Sequence, residues 1–271
     1  MPYLDIGRAR LYYEVDGSPA APAILLIHSG AATLRMWDPQ VDALANHHFV
    51  ARFDARGFGR TKSDGAPYSD RADAIALLDR LGIATATVVG CSRGGAVGVD
   101  LAIESPGRVT GLVTIGSSPS GFPQGELTQR EQQMSEAIDA AEAAGEPEVA
   151  NRLEVEIWNF GPTRDADSLD PNFVARAYEL HAPNLIHVAE VNPSIPLDPP
   201  AYVRLAEIAI PTLIVVGDVD VSPILRAATY LSGGIPNAQL HHFSASAHHP
   251  SVEWPTEFEA LLLSWLEHHN L

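Results

Sequence analysis

The ten residues from Val88 to Val97, VVGCSRGGAV, constrain the fold more than any other stretch of this chain. An apolar run, TATVVG, breaks into Gly90-Cys91-Ser92-Arg93-Gly94-Gly95, and the text that follows, GGAVGVDLAIE, reads as a helix that stops before Pro106. A G-x-S-x-G pattern at a strand-to-helix junction puts its serine on a sharp turn, with neighbours small enough for strand and helix to close on each other. Ser92 is therefore the candidate nucleophile. A serine hydroxyl is a weak nucleophile near neutral pH, so it requires a base within hydrogen-bond reach and a third group to orient that base. In this setting the partners are expected later in the chain, in the order Ser, Asp, His. Cys91, the single cysteine, reads as a small buried hydrophobe.

Strand and helix alternate on both sides of this junction. LYYEVDG and AILLIHSG read as strands, the unbroken Ala-Ile-Leu-Leu-Ile run suiting a strand buried on both faces. DPQVDALANH predicts a short helix with Pro39 in its first turn, FVARFDARG a further strand, and DRADAIALLDRLG a helix stopped by Gly82. VTGLVTIGSS completes a β-α-β run, which calls for a parallel sheet with right-handed crossovers. From residue 122 the text turns Ala- and Glu-rich and helical, then is punctuated by NPSIPLDPP, which cannot continue a helix. The sheet resumes at IPTLIVVGDVD, passes a helix near 222 to 232 and a strand near AQLHHFSA, and ends in the helix PTEFEALLLSWLEHHN. The expected organisation is a core of residues 1–121 and 206–271 with a helical cap, or lid, inserted at 122–205.

With 271 residues of which 46% are hydrophobic, the chain can bury one sizeable core. Its formal net charge of −17 disfavours nucleic acid and anionic membrane as partners, because both are held by clustered Lys and Arg. No apolar run approaches the roughly 20 residues of a membrane span, and MPYLDIGRARLYYEVDG has no signal-peptide pattern, so the expected location is cytoplasmic. The pairs His47-His48, His241-His242 and His268-His269 lack the i, i+4 spacing of a zinc helix, which points to surface or packing roles and to no metal.

In VVGDVDVSP, Asp218 and Asp220 both follow an apolar strand and a glycine, and either could orient a histidine. Outside the inserted segment, the chain resembles the α/β-hydrolase fold family along nearly its whole length. That family has a mostly parallel central sheet, helices on both faces and a helical cap. Its acid usually stands fourth in G-x-x-D, which implies Asp220, leaving Asp218 as a turn residue. In FSASAHHPSVEWP the family's histidine followed by x-P-x-x-E-x-P matches His248, Pro250, Glu253 and Pro255, with His249 as the fallback base. The resemblance further implies an oxyanion hole made by the backbone N–H groups of Arg93 and Gly30, the latter in His28-Ser29-Gly30, where Ser29 replaces the commoner glycine. FDARGFGRT resembles the family's D-x-R-G-x-G-x-S segment and is taken as structural, with Asp54 and Arg56 available for pairing.

Runs such as MWDPQVDALANHHFVARFDARGFG resemble 3-oxoadipate enol-lactonase-like and esterase-like members. They imply hydrolysis of a small ester or lactone by water through an acyl-enzyme, without a cofactor. Carbon–carbon bond hydrolysis, thioester hydrolysis and perhydrolysis would use the same triad. Dehalogenases and epoxide hydrolases would carry Asp in place of Ser92. A non-catalytic hydrolase-like ligand receptor is the reading from another class. Ser29 and the aromatic residues Trp158, Phe160 and Tyr178 of the inserted segment are candidates to line the substrate pocket.

Overall fold

The computed structural model describes residues 3–188, 190 and 192–271. Among these, the strands are β1 (Tyr3–Asp5), β2 (Ala9–Asp16), β3 (Ala23–Ile27), β4 (Phe49–Phe53), β5 (Lys62–Ser63), β6 (Ala86–Cys91), β7 (Val109–Ile115), β8 (Thr212–Gly217) and β9 (Ala238–Phe243). They form one sheet in the order β1-β2-β4-β3-β6-β7-β8-β9, with β5 paired to β2. All pairings from β4 to β9 are parallel, whereas β2 runs antiparallel to β1, β4 and β5. The sequence pattern predicts the long strands well. It misses β1 and β5, which at three and two residues are too short to show periodicity.

Side-chain alternation along the central strands divides the core in two. Leu25, Ile27, Val88, Leu112, Ile214 and Val216 face one cluster, and Ile24, Leu26, Val89, Val113, Leu213 and Val215 face the other. Helices α2 (Asp70–Leu81), α3 (Arg93–Glu104) and α7 (Ser222–Gly234) cover the first face with Leu77, Val99 and Leu231. Helices α1 (Asp38–Ala45) and α9 (Pro255–His269) cover the second with Leu44, Phe258, Leu262 and Trp265. Each fully buried Leu, Ile or Phe contributes about 1.5–3 kcal/mol, so burial on both faces is what makes this sheet stable. Gly82 ends α2 at φ 70°, the left-handed cap its position predicts.

Between β7 and β8 the chain leaves the sheet. Helices α4 (Gln129–Ala143), α5 (Pro147–Val155) and α6 (Pro171–His181) lie in this excursion, and α5 continues into a π-helical turn over Glu156–Phe160. Val155, Phe160, Phe173, Ala177 and Leu180 join the second core cluster, which fastens the excursion to the sheet domain. Glu131, 2% exposed, adds a polar tie: its carboxylate accepts the Thr128 N–H at 2.7 Å, in a capping box on α4, and the Ser222 N–H at 2.6 Å on α7. Burial works to raise its pKa, but those amides outweigh it and lower the pKa overall. A four-residue helix α8 (Pro250–Glu253) precedes α9. No helix among the described residues is long and apolar enough to cross a membrane.

Candidate active site

The end of β6 folds as its glycines require. Ser92 has φ 53° and ψ −118°, a backbone conformation that costs a non-glycine residue about 1–3 kcal/mol and persists only where the surroundings enforce it. Enforcement comes from the Ser92 N–H, which donates to Ile115 O at 2.7 Å, and from close packing on both sides. A Cβ on Gly90 would meet Gly94 O at 2.2 Å, and one on Gly94 would meet Ile27 O at 2.2 Å. Sterics account for the glycines around Ser92 and leave the serine itself to chemistry.

Ser92 lines a cavity of about 230 Å³ together with Ser29, Gly30, Glu154, Trp158 and His248. His248 follows β9 and is 2% exposed. Its Nδ1–H donates to Asp220 Oδ2 at 2.8 Å, which leaves Nε2 as the basic nitrogen of the ring. Asp220 is 3% exposed, and its Oδ1 accepts the Val221 N–H at 2.7 Å. Asp218, by contrast, is exposed and accepts from the exposed His242 at 2.6 Å, so its side chain serves a surface pair rather than only its own turn. Gly116, at φ 54°, makes room for the base, since a Cβ there would lie 2.7 Å from His248 O.

The π turn holds His248 from the excursion side. The His248 N–H donates to Trp158 O at 3.2 Å, and the indole of Trp158 lies with its centroid 4.7 Å from the imidazole. Gly161 closes the turn at φ 83°, where a Cβ would meet Val219 O at 2.4 Å, beside Asp220. Nothing in the composition of EVEIWNF separates a π turn from an ordinary helical one, so the sequence pattern misses it. Of the three candidate pocket aromatics, Trp158 lines the cavity. Phe160, 1% exposed, packs against Phe173 and Tyr178 at 6.3 and 5.8 Å, and neither Phe160 nor Tyr178 lines the cavities that Ser92 opens onto.

His249, the fallback base, is used elsewhere. Its Nδ1–H donates to Asn159 Oδ1 at 2.8 Å and its Nε2 accepts from Ser29 Oγ at 2.8 Å, with all three residues buried. Burial, with His248 and His181 nearby, pushes its pKa well below the ordinary value, which keeps the ring neutral. Ser29 Oγ also accepts the Ala31 N–H at 3.1 Å. The loop is further fixed by His28, whose Nδ1–H donates to Ser29 O at 2.7 Å while its Nε2 accepts the Ala55 N–H at 3.0 Å. Burial pushes the His28 pKa down to about 3. The N–H groups of Gly30 and Arg93 meet no acceptor among the described residues.

The Arg93 side chain is turned to other work. Its guanidinium pairs with Asp70, donates to the Tyr68 hydroxyl at 3.2 Å and lies over the Phe58 ring at 5.0 Å. Arg56 pairs in bidentate fashion with Asp73, at 2.7 and 2.8 Å, and not with Asp54. Asp54 instead accepts the amides of Leu34 and Arg60, both at 2.9 Å. Glu253, at the Glu of the x-P-x-x-E-x-P segment, accepts from Arg164 at 2.6 Å and from Ser246 Oγ at 2.8 Å, holding the loop that carries His248.

The chain is similar to several known proteins. A RutD protein of Azorhizobium caulinodans, named for carbamate hydrolysis, is 38% identical over 118 residues, 42% of this chain and 44% of that protein. The 3-oxoadipate enol-lactonase 2 of Acinetobacter baylyi is 37% identical over 106 residues, 38% of this chain and 40% of that protein. These matches therefore span less than half the length of the curated relatives. A solved hydrolase from Pseudomonas aeruginosa is similar over 97% of both chains, with a TM-score of 0.73 and 28% identity. The family described as alpha/beta hydrolase fold matches residues 22–255, a span that holds the Ser92 turn, Asp220 and His248. From that match and the sheet order, the chain belongs to the α/β-hydrolase fold family.

Proposed function

We propose that this protein is a serine hydrolase that cleaves a carboxylic ester or lactone of a small organic molecule, with residues 122–205 as a cap over the site. One observation carries the reading. Ser92, on its strained turn, opens onto the same cavity as His248, and His248 is oriented by the buried Asp220 at 2.8 Å.

In the cycle so proposed, His248 Nε2 takes the Ser92 proton as Oγ attacks the substrate carbonyl. The oxyanion that forms is met by the amides of Gly30 and Arg93, which are preorganised by the fixed His28-Ser29 loop and by the first turn of α3. His248 then gives its proton to the leaving alkoxide, and an acyl-enzyme remains on Ser92. Water, deprotonated by the same nitrogen, releases the acid. Asp220 holds the ring in the Nδ1–H tautomer and stabilises it when charged. The chain's own groups and water complete the cycle, so no cofactor enters it. The names of the relatives, carbamate hydrolysis and enol-lactone hydrolysis, share attack at a carbonyl carbon and support the reaction class.

A turnover screen of short acyl esters, aryl esters and lactones tests the reading. Wild type is expected to hydrolyse members of the panel, and Ser92→Ala to lose at least about 10³-fold in kcat. Equal rates for the two proteins would overturn it.

A further inference from the structure

Two arms meet at Ser92, and Ser92, Trp158 and His248 line both. One arm, about 340 Å³, is walled by apolar side chains such as Phe122, Leu127, Ile157 and Ile224, with Gln124 and Glu131 among them. The other is the cavity of about 230 Å³ that passes Gly30 to reach Glu154 and His181, and beyond those residues a cleft of about 570 Å³ begins. An acyl chain fits the first by burial of apolar surface. The second arm carries Glu154 and His181, and their chemistry is specific.

Glu154 stands on α5 and His181 at the end of α6. Asn151 Nδ2 contacts His181 Nδ1, and His181 Nε2 lies 3.1 Å from Glu154 Oε2. The carboxylate sits beside that ring, with its other oxygen accepting no hydrogen bond from the described residues. Among the described residues no Lys or Arg lines either arm or the cleft, and the cleft adds Glu142 and Glu146. Arg93, next to Ser92 in sequence, lines none of these spaces; its Nη2 pairs with Asp70, while its Nη1 is buried with no partner among the described residues. A carboxylate entering this arm would meet Glu154 with no lining Lys or Arg to offset the repulsion, whereas an ammonium or hydroxyl would find an acceptor.

We propose that Glu154, beside His181 in the cavity that Ser92 lines, is a specificity residue: it seats a hydrogen-bond-donating, preferably cationic, alcohol portion of the ester and excludes substrates that carry a carboxylate there. The inference rests on the ester-hydrolase reading above and adds the substrate class. In this proposal Glu154 contacts substrate directly.

The test uses butyrate esters of 1-butanol, 3-(dimethylamino)-1-propanol and 4-hydroxybutanoate near neutral pH. The readout is the kcat/KM ratio of the ammonium to the carboxylate ester, in which any general loss of activity cancels. Wild type is expected to favour the ammonium ester by at least about tenfold, with the ratio shrinking as salt rises. Glu154→Gln is expected to reduce the ratio by about tenfold and Glu154→Asp to retain most of it, with circular dichroism confirming that each variant is folded. The same ratio in wild type and Glu154→Gln, or a wild-type preference for the carboxylate ester, would overturn the proposal. Dissociation constants of the same esters on Ser92→Ala give the ratio without turnover. If wild type cleaves none of the esters, the hydrolase reading fails and the binding ratio still decides for or against Glu154.

Discussion

His249 Nε2 lies 2.8 Å from Ser29 Oγ, a hydrogen bond between two fully enclosed residues that are 220 positions apart. It joins the loop carrying Gly30 to the residue after the base, and Asn159 extends the chain into the π turn. Ser29 thus replaces the conformational freedom of a glycine with a fixed contact. Ser29→Ala would leave His249 Nε2 and the Ala31 N–H without partners, at a cost of about 1–3 kcal/mol. We expect a lower denaturation midpoint and a kcat reduced about tenfold through the displaced Gly30 amide. An unchanged midpoint would show that the contact contributes nothing.

The two candidate acids make opposite predictions. Asp220→Asn should lower kcat by about 10³- to 10⁴-fold, because an amide no longer selects the productive imidazole tautomer. Asp218→Asn removes only an exposed partner of His242 and should leave kcat within about twofold. Steady-state kinetics on both variants would distinguish them, and the reverse ranking would move the orienting role to Asp218.

What the sequence reveals here follows from how far each signal reaches. The strand ends carrying Ser92 and Asp220 are announced by local patterns, an apolar run followed by glycine, and both fall where those patterns predict. Pairings across the fold are not local. Arg56 meets Asp73 and not Asp54, and Arg164 of the excursion meets Glu253, contacts that depend on how helices are placed on the sheet. Phe160 and Trp158 are two residues apart in one aromatic segment, but the π turn sends one into the core and the other over His248. Hydrophobicity is the same for both outcomes, so composition could not separate them.

The Arg164–Glu253 pair predicts how the excursion is anchored. Its side chains are 16% and 6% exposed, so Arg164→Ala would strand a buried carboxylate, which costs about 3 kcal/mol. It would also loosen Ser246 and Ala247, immediately before His248. Urea denaturation should show the loss, with Arg164→Lys recovering part of it; a midpoint equal to wild type would contradict the anchoring role.

Acid should weaken the fold through His28 and His249. Burial holds the pKa of His28 at about 3 and that of His249 well below the usual value, whereas the unfolded chain protonates both near pH 6.5. Their contribution is therefore complete above about pH 6.5 and is lost as pH falls, by about 1.4 kcal/mol per pH unit for each ring. Burial raises the pKa of Asp54, Asp73 and Asp100, and the sign for those groups is opposite, since the folded state takes up their protons first. Denaturation at pH 7 and pH 5 in about 0.5 M salt, which screens the net charge of −17, should show a loss of about 3–4 kcal/mol. A flat profile over that range would mean that one or both rings are charged in the fold.

The central claim is that Ser92 is an activated nucleophile. Intact-mass spectrometry after treatment with a fluorophosphonate measures this without knowledge of the natural substrate. The account predicts a single adduct on the wild-type protein, located at Ser92, and none on folded Ser92→Ala. A folded wild-type protein that takes no label, or a Ser92→Ala protein labelled to the same extent, would contradict it.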